Sequence, residues 1–141
     1  MLVIRAQEHD RSKLEEPEFS AFAEVPRRHA GIPYGSPAYR ERLKLLKPAL
    51  DHHYSVSRHH PEHFTDGIRG MNLIDVVEMF ADWLGSWTDY GSGDFESSIE
   101  HNRDRFDFSS DLESIFKNTA EALLGPNHPA LYDTAPEGDI Q

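Results

Sequence analysis

Residues 71–87, MNLIDVVEMFADWLGSW, decide the fold class. Leu73, Val76, Val77, Phe80, Trp83 and Leu84 recur at intervals of three and four, the period of an α-helix, and form a face broad enough for a buried one. Asn72 stands where a cap belongs, and Asp75 three residues on completes a near capping box. Asp75, Glu78 and Asp82 fall in a narrow arc roughly opposite the apolar face. They are the wet side of an amphipathic helix or, if the helix is covered on both sides, a row of carboxylates facing an internal site.

Upstream, Ser36 can cap a helix whose first residue is Pro37. Tyr39, Leu43, Leu46, Leu50 and His53 keep helical spacing from there, predicting a long helix to about Val56 with a kink at Pro48. Residues 26–37, PRRHAGIPYGSP, read as a loop. His9 to Phe22 reads as a helix, with Pro17 near its first turn or breaking it. Downstream, Gly91-Ser92-Gly93 reads as a turn and Phe95–Phe106 as a polar helix. Ser110 with Glu113 reads as the capping box of a last amphipathic helix, which carries Leu112, Ile115, Phe116, Ala120, Leu123 and Leu124 and stops at Gly125-Pro126. Phe95, Phe106, Phe108 and Phe116 are expected in the core. No segment alternates with period two. The expectation is an all-α fold: a compact single-domain bundle of about five or six helices over residues 1–125, followed by a loosely packed acidic tail, 126–141.

At 141 residues, with eight Phe, five Tyr and two Trp, the chain can bury a real core despite a mean hydropathy of -0.64. Its formal charge of -11 argues against broad nucleic-acid binding and against anionic membrane surfaces. A small phosphorylated substrate stays compatible, because one bound cation inverts the local field. The absence of cysteine excludes disulfides, thiolate metal sites and cysteine nucleophiles. The apolar run in MLVIRAQEHDRSK is too short for a signal peptide, and no stretch reaches membrane-spanning length, so a cytoplasmic location is expected.

Nine histidines are many for this length, and five of them (His52, His53, His59, His60 and His63) crowd into DHHYSVSRHHPEH, residues 51–63. Imidazole suits Mn, Fe, Co, Ni or Zn, and clustering lowers the entropy lost in assembling a site. His53 and His60, two turns apart, would share a face if the helix continued, and Pro61 should open a short new helix. A pH-sensitive patch controlling assembly is the bland reading of the same histidines. His9-Asp10 is a second piece. Adjacent residues diverge by about 100° on a helix, so both chelate one ion only where a helix end turns them inward. Lys13 stands one turn beyond Asp10 and can hold an anion beside an ion; the ordinary reading is a capping Asp with a solvated Lys. Asp82 is a better ligand candidate than Asp75, whose cap already accounts for it. His29, His101 and His128 lie outside the pattern, with His29 a substitute ligand.

HDRSK, HHxxxxxHHPEH and DxxExxxDW together resemble the HD-domain superfamily of metal-dependent phosphohydrolases. The likeness spans about residues 9–88 and is nearest to an uncharacterised family of small HD-like proteins of phages and bacteria. It implies an all-helical scaffold and a metal site drawing on His9, Asp10, His53, His59, His60 and Asp82, with Glu78 second to Asp82. It implies one or two divalent ions (Mn, Fe, Co, Ni, Zn or Mg). With no histidine in residues 1–8, either a central histidine takes the place of an upstream ligand or the ion is held by fewer ligands. The implied activity is hydrolysis of a phosphate ester, such as a nucleotide, by metal-activated water. Lys13 and Arg58 would neutralise phosphate charge, with Glu78 or His59 as general acid or base. The likeness also admits a homodimer. The competing expectation is a non-catalytic HD-like protein that sequesters a nucleotide or binds a host protein.

Overall fold

The computed structural model describes residues 1–24, 36–90, 94–125 and 128, with the backbone alone of Asp89 and Tyr90. His29, the Gly91–Gly93 turn and, apart from His128, the tail 126–141 lie outside the described residues. The fold is all-α: six α-helices and no strand among the described residues. None of these helices is long and apolar enough to cross a membrane. The chain divides into two compact units, Met1–Glu78 and Met79–Gln141.

The first unit opens with α1, Leu2–Glu8, whose last turn is followed by His9 at the C-cap and Asp10 in the left-handed region (φ 58°). Asp is one of the few residues that tolerate that conformation. The helix expected over His9–Phe22 is therefore corrected: the chain breaks at His9-Asp10, makes a 3₁₀ turn at Arg11–Leu14, and resumes as α2, Glu18–Glu24. The break follows from the Asp10 backbone and from Pro17, whose ring cannot continue a helix begun upstream. Helix α3, Pro37–Val56, starts as its sequence predicts, with the Ser36 hydroxyl accepting from Tyr39 N at 3.1 Å. It ends at Val56, before His59-His60. A turn and a 3₁₀ segment, Pro61–His63, then fold the histidine run back on itself. A further 3₁₀ turn, Gly67–Gly70, leads to α4, Leu73–Tyr90. Gly70 is needed there, because a Cβ on it would stand 2.9 Å from that of Phe64.

The Asn72–Asp75 capping box forms on both sides: Asn72 Oδ1 accepts from Asp75 N, and Asp75 Oδ2 accepts from Asn72 N, each at 3.1 Å. The predicted face of α4 is only partly right. Leu73 and Val77 are exposed, whereas Asp75 is fully buried and Glu78 nearly so. Among the described residues of this unit, the buried side chains are Glu18, Ala49, His53, His59, Pro61 and Asp75. A core that polar is costly unless each group is partnered, and that cost locates the function.

The second unit is conventional. Phe80 stacks on Phe116 (5.1 Å) and meets Phe95 edge-on, and Trp83 stacks on Phe106 (5.9 Å). These contacts join α4 to α5, Phe95–Phe106, and α6, Ser110–Leu124. Ser109 caps α6, accepting from Leu112 N at 3.3 Å, in place of the expected Ser110, which is the first helical residue. Glu113 serves ion pairs to Arg103 and Lys117 instead of a capping box.

Candidate metal centre

Three imidazoles point one nitrogen at a carboxylate behind them and the other toward Asp10. His53 Nδ1 lies 2.9 Å from Glu18 Oε2, and His53 Nε2 lies 3.3 Å from Asp10 Oδ1. His9 Nδ1 lies 3.0 Å from Glu78 Oε1, with Nε2 3.6 Å from Asp10 Oδ2. His59 Nδ1 lies 3.3 Å from Glu78 Oε1, with Nε2 3.5 Å from Asp10 Oδ1. A carboxylate only accepts, so a neutral ring that gives its Nδ1 proton to the carboxylate behind it presents the Nε2 lone pair to the centre. His60 joins from the side, its Nε2 3.0 Å from that of His53.

The break after α1 makes this convergence. With His9 at the C-cap and Asp10 left-handed, two adjacent side chains that would diverge on a helix both turn inward. The turn at residues 57–60 brings His59 and His60 back beside His53.

Asp10 Oδ1 is shut off from solvent and accepts no hydrogen bond, although two ring nitrogens face it. Lone pairs facing a carboxylate at that range repel unless a cation lies between them. Donors each about 2.1 Å from one ion stand about 3.0 Å apart at right angles and about 3.4 Å apart at the tetrahedral angle. The observed separations match, so the donor set fits a divalent ion. Two overlapping groups can hold a metal within this unit, His53–His59–His60 and His9–His59–Glu78; the donor atoms within each lie within 4.8 Å of one another. Burial alone would raise the Asp10 carboxyl, but a hydrogen bond from the His53 ring when its proton sits on Nε2, together with Lys13 and a charged His9, outweighs it and holds Asp10 well below the usual carboxylate range.

Around this centre lies a cleft of about 490 Å³, within the range of small-ligand sites. Arg5, Arg11 and Arg58 line it as cations and Glu8, Asp10, Glu15 and Glu78 as acids; Val56 is the one apolar side chain among its described lining residues. Lys13 Nζ stands 2.5 Å from Asp10 Oδ2, beside the centre. Arg58 is committed elsewhere: its guanidinium grips Asp75 through two bonds (3.1 and 2.8 Å) and lies over the Phe64 ring. Arg5 bonds both Asp75 (3.0 Å) and Glu78 (2.6 Å). Burial pushes the Asp75 carboxyl up, but Arg58, the Asn72 backbone and Arg5 together hold it below its ordinary value.

Of the residues singled out from the sequence, His9, Asp10, His53, His59, His60, Lys13 and Glu78 come together in this unit. Asp82 stands one turn beyond Glu78 on α4, half-buried, in the second unit. His63 bonds the Tyr54 carbonyl and His101 is exposed on α5. Sequence reasoning missed Glu18, Ser12 and Arg5. Only Arg5 left a local trace, four residues before His9.

The chain belongs to a family of unknown function, DUF5662, whose family model matches residues 1–124 and so takes in the whole centre. No curated protein and no solved structure matches it.

Proposed function

We propose that this family member is a metal-dependent phosphohydrolase that cleaves a small phosphate ester, such as a nucleotide, on an HD-like scaffold. The observation that carries the reading is the convergence of the His9, His53 and His59 Nε2 atoms on Asp10, each ring backed by a carboxylate. His9, Asp10, His53, His59 and His60 would hold the ion, as the resemblance also implies for Asp82. A divalent ion there supplies Lewis-acid polarisation of a phosphoryl oxygen and a more acidic water.

The chain's own groups do the rest. Water oxygen bonds to phosphorus, the ester P–O bond breaks, and the water's proton ends on the leaving oxygen, giving an alcohol and phosphate. Glu78, behind His9 and His59, takes up and returns that proton. Lys13, beside Asp10, faces the charge that builds on the phosphoryl oxygens. Because the cleft offers Val56 as its one apolar described lining residue, recognition rests on the phosphate and its neighbouring hydroxyls more than on a base.

The test is metal analysis of the purified protein, followed by a screen of nucleotides, sugar phosphates and a chromogenic phosphodiester with Mn, Co, Ni or Mg. Asp10→Asn keeps the side-chain volume and the left-handed backbone while removing the charge. Loss of both metal and turnover in that variant is the expected result. No turnover in the parent, together with metal uptake by Asp10→Asn equal to the parent's, sinks the proposal. Metal uptake with a retained, unhydrolysed nucleotide would establish the non-catalytic alternative.

A further inference from the structure

We infer that Glu18 is the positioning residue of this centre, fixing the His53 ring as an Nε2 donor and tying it to His52. The inference rests on the metal reading above. Glu18 is fully buried, and among the described residues its bonds run to two imidazoles and one hydroxyl. Oε1 lies 2.7 Å from His52 Nδ1; Oε2 lies 2.9 Å from His53 Nδ1 and 3.0 Å from Ser12 Oγ. A buried carboxylate is tolerated only where donors repay its lost hydration. Here two of the three partners are the rings themselves, so the pairing serves the rings.

The direction of the exchange decides the metal chemistry. His53 stands between two carboxylates, and Glu18 is the nearer (2.9 Å at Nδ1 against 3.3 Å to Asp10 at Nε2), so the ring's one proton goes to Nδ1 and leaves the Nε2 lone pair turned to Asp10 and His60. The other groups near His53 Nδ1 are the hydroxyls of Ser12 and Ser57, at 3.1 and 3.3 Å. A hydroxyl donates as readily as it accepts and imposes no tautomer. Without Glu18 the ring is therefore free to move its proton to Nε2, where it bonds the buried Asp10 oxygen and blocks the donor position. Asp10, which otherwise has no hydrogen bond at that atom, draws the ring into this inactive form.

Glu18→Ala and Glu18→Gln test the assignment, read by Co²⁺ titration calorimetry and by long-range ¹H–¹⁵N spectra of the histidine rings in metal-free protein. The parent should show His53 protonated at Nδ1. Glu18→Ala should move that proton to Nε2 and weaken Co²⁺ binding by roughly 10- to 100-fold. Glu18→Gln, whose amide oxygen can still accept from Nδ1, should fall between the two. A purely structural Glu18 would lower the melting temperature and leave tautomer and affinity alone. Parent-like tautomer and parent-like affinity in both variants overturn the assignment while leaving the metal reading intact; a parent that takes up no Co²⁺ overturns both. If Glu18→Ala does not fold, Glu18→Gln carries the comparison. Weakened binding with a mixed tautomer then supports the assignment, and parent-like values in both readouts refute it.

Discussion

Removing Asp75 should cost the first unit about 3–4 kcal/mol whether or not metal is bound. The carboxylate is fully buried and accepts from Arg58 Nε (3.1 Å), Arg58 Nη2 (2.8 Å), Arg5 Nη1 (3.0 Å) and the Asn72 amide (3.1 Å). Hydrogen bonds to charged groups contribute about 1.5–3 kcal/mol each when buried, but these do not add. Arg58 is 45% exposed and regains water, and Arg5 keeps Glu78. What remains is close to the about 3–5 kcal/mol lost when one member of a buried pair is deleted. At this chain length, about 3–4 kcal/mol lowers the melting temperature by roughly 10 °C. Asp75→Ala and Asp75→Asn should behave alike, since an amide nitrogen facing two guanidiniums is no better than a gap. The pH dependence has a definite sign. The folded carboxyl lies below its unfolded value, so its stabilisation is complete above about pH 4 and is lost as the pH falls through the lower folded value. Urea melts of parent and variant from pH 8 to pH 2.5 should thus show a constant gap that closes only in acid. A gap under about 1 kcal/mol at pH 7, or one that persists unchanged at pH 2.5, refutes the reasoning.

Three further outcomes are expected. Lys13→Ala should lower kcat by about 10²-fold or more with metal content unchanged, measured by single-substrate kinetics beside elemental analysis; an unchanged kcat removes Lys13 from the mechanism. Ser109→Ala should cost about 1 kcal/mol in chemical denaturation, because it deletes the α6 cap. Ser110→Ala should cost nothing measurable, and the reverse order would restore the cap to Ser110. Phe116→Ala should cost about 3–5 kcal/mol by the same assay, since its ring is buried among Phe80, Trp83 and Phe108.

What was legible in the sequence was local. Ser36-Pro37, Asn72 with Asp75, and Gly125 announce helix ends because a cap is made by residues three or four apart. The all-α class followed from such signals and from periodicity. Helix α1 gave neither: no side chain caps it, and Leu2, Val3 and Ile4 are exposed. The histidine run was legible as a cluster but not as a shape. Reading His53 and His60 as one helical face assumed a helix past Val56, whereas a turn brings their Nε2 atoms to 3.0 Å.

Glu18 and Asp75 show why the rest stayed hidden. Glu18 meets His52 and His53 across 34 and 35 residues, and no pattern of period 3.6 connects such positions. Asp75 misled for a different reason, because its cap seemed to account for it fully. A carboxylate has two oxygens with about four acceptor positions, and the bond to the Asn72 amide uses only one. The others are what Arg5 and Arg58 bind, and that demand turns the acidic side of α4 inward while Leu73 and Val77 stay in solvent. Glu78 follows from the same rotation. One turn after Asp75 and shared by Arg5, His9 and His59, it reaches the centre because Asp75 has already set which face of the helix looks in. The polar core of the first unit is thus one connected network, in which the ion pair at Asp75 orients the helix whose next carboxylate orients two of the imidazoles.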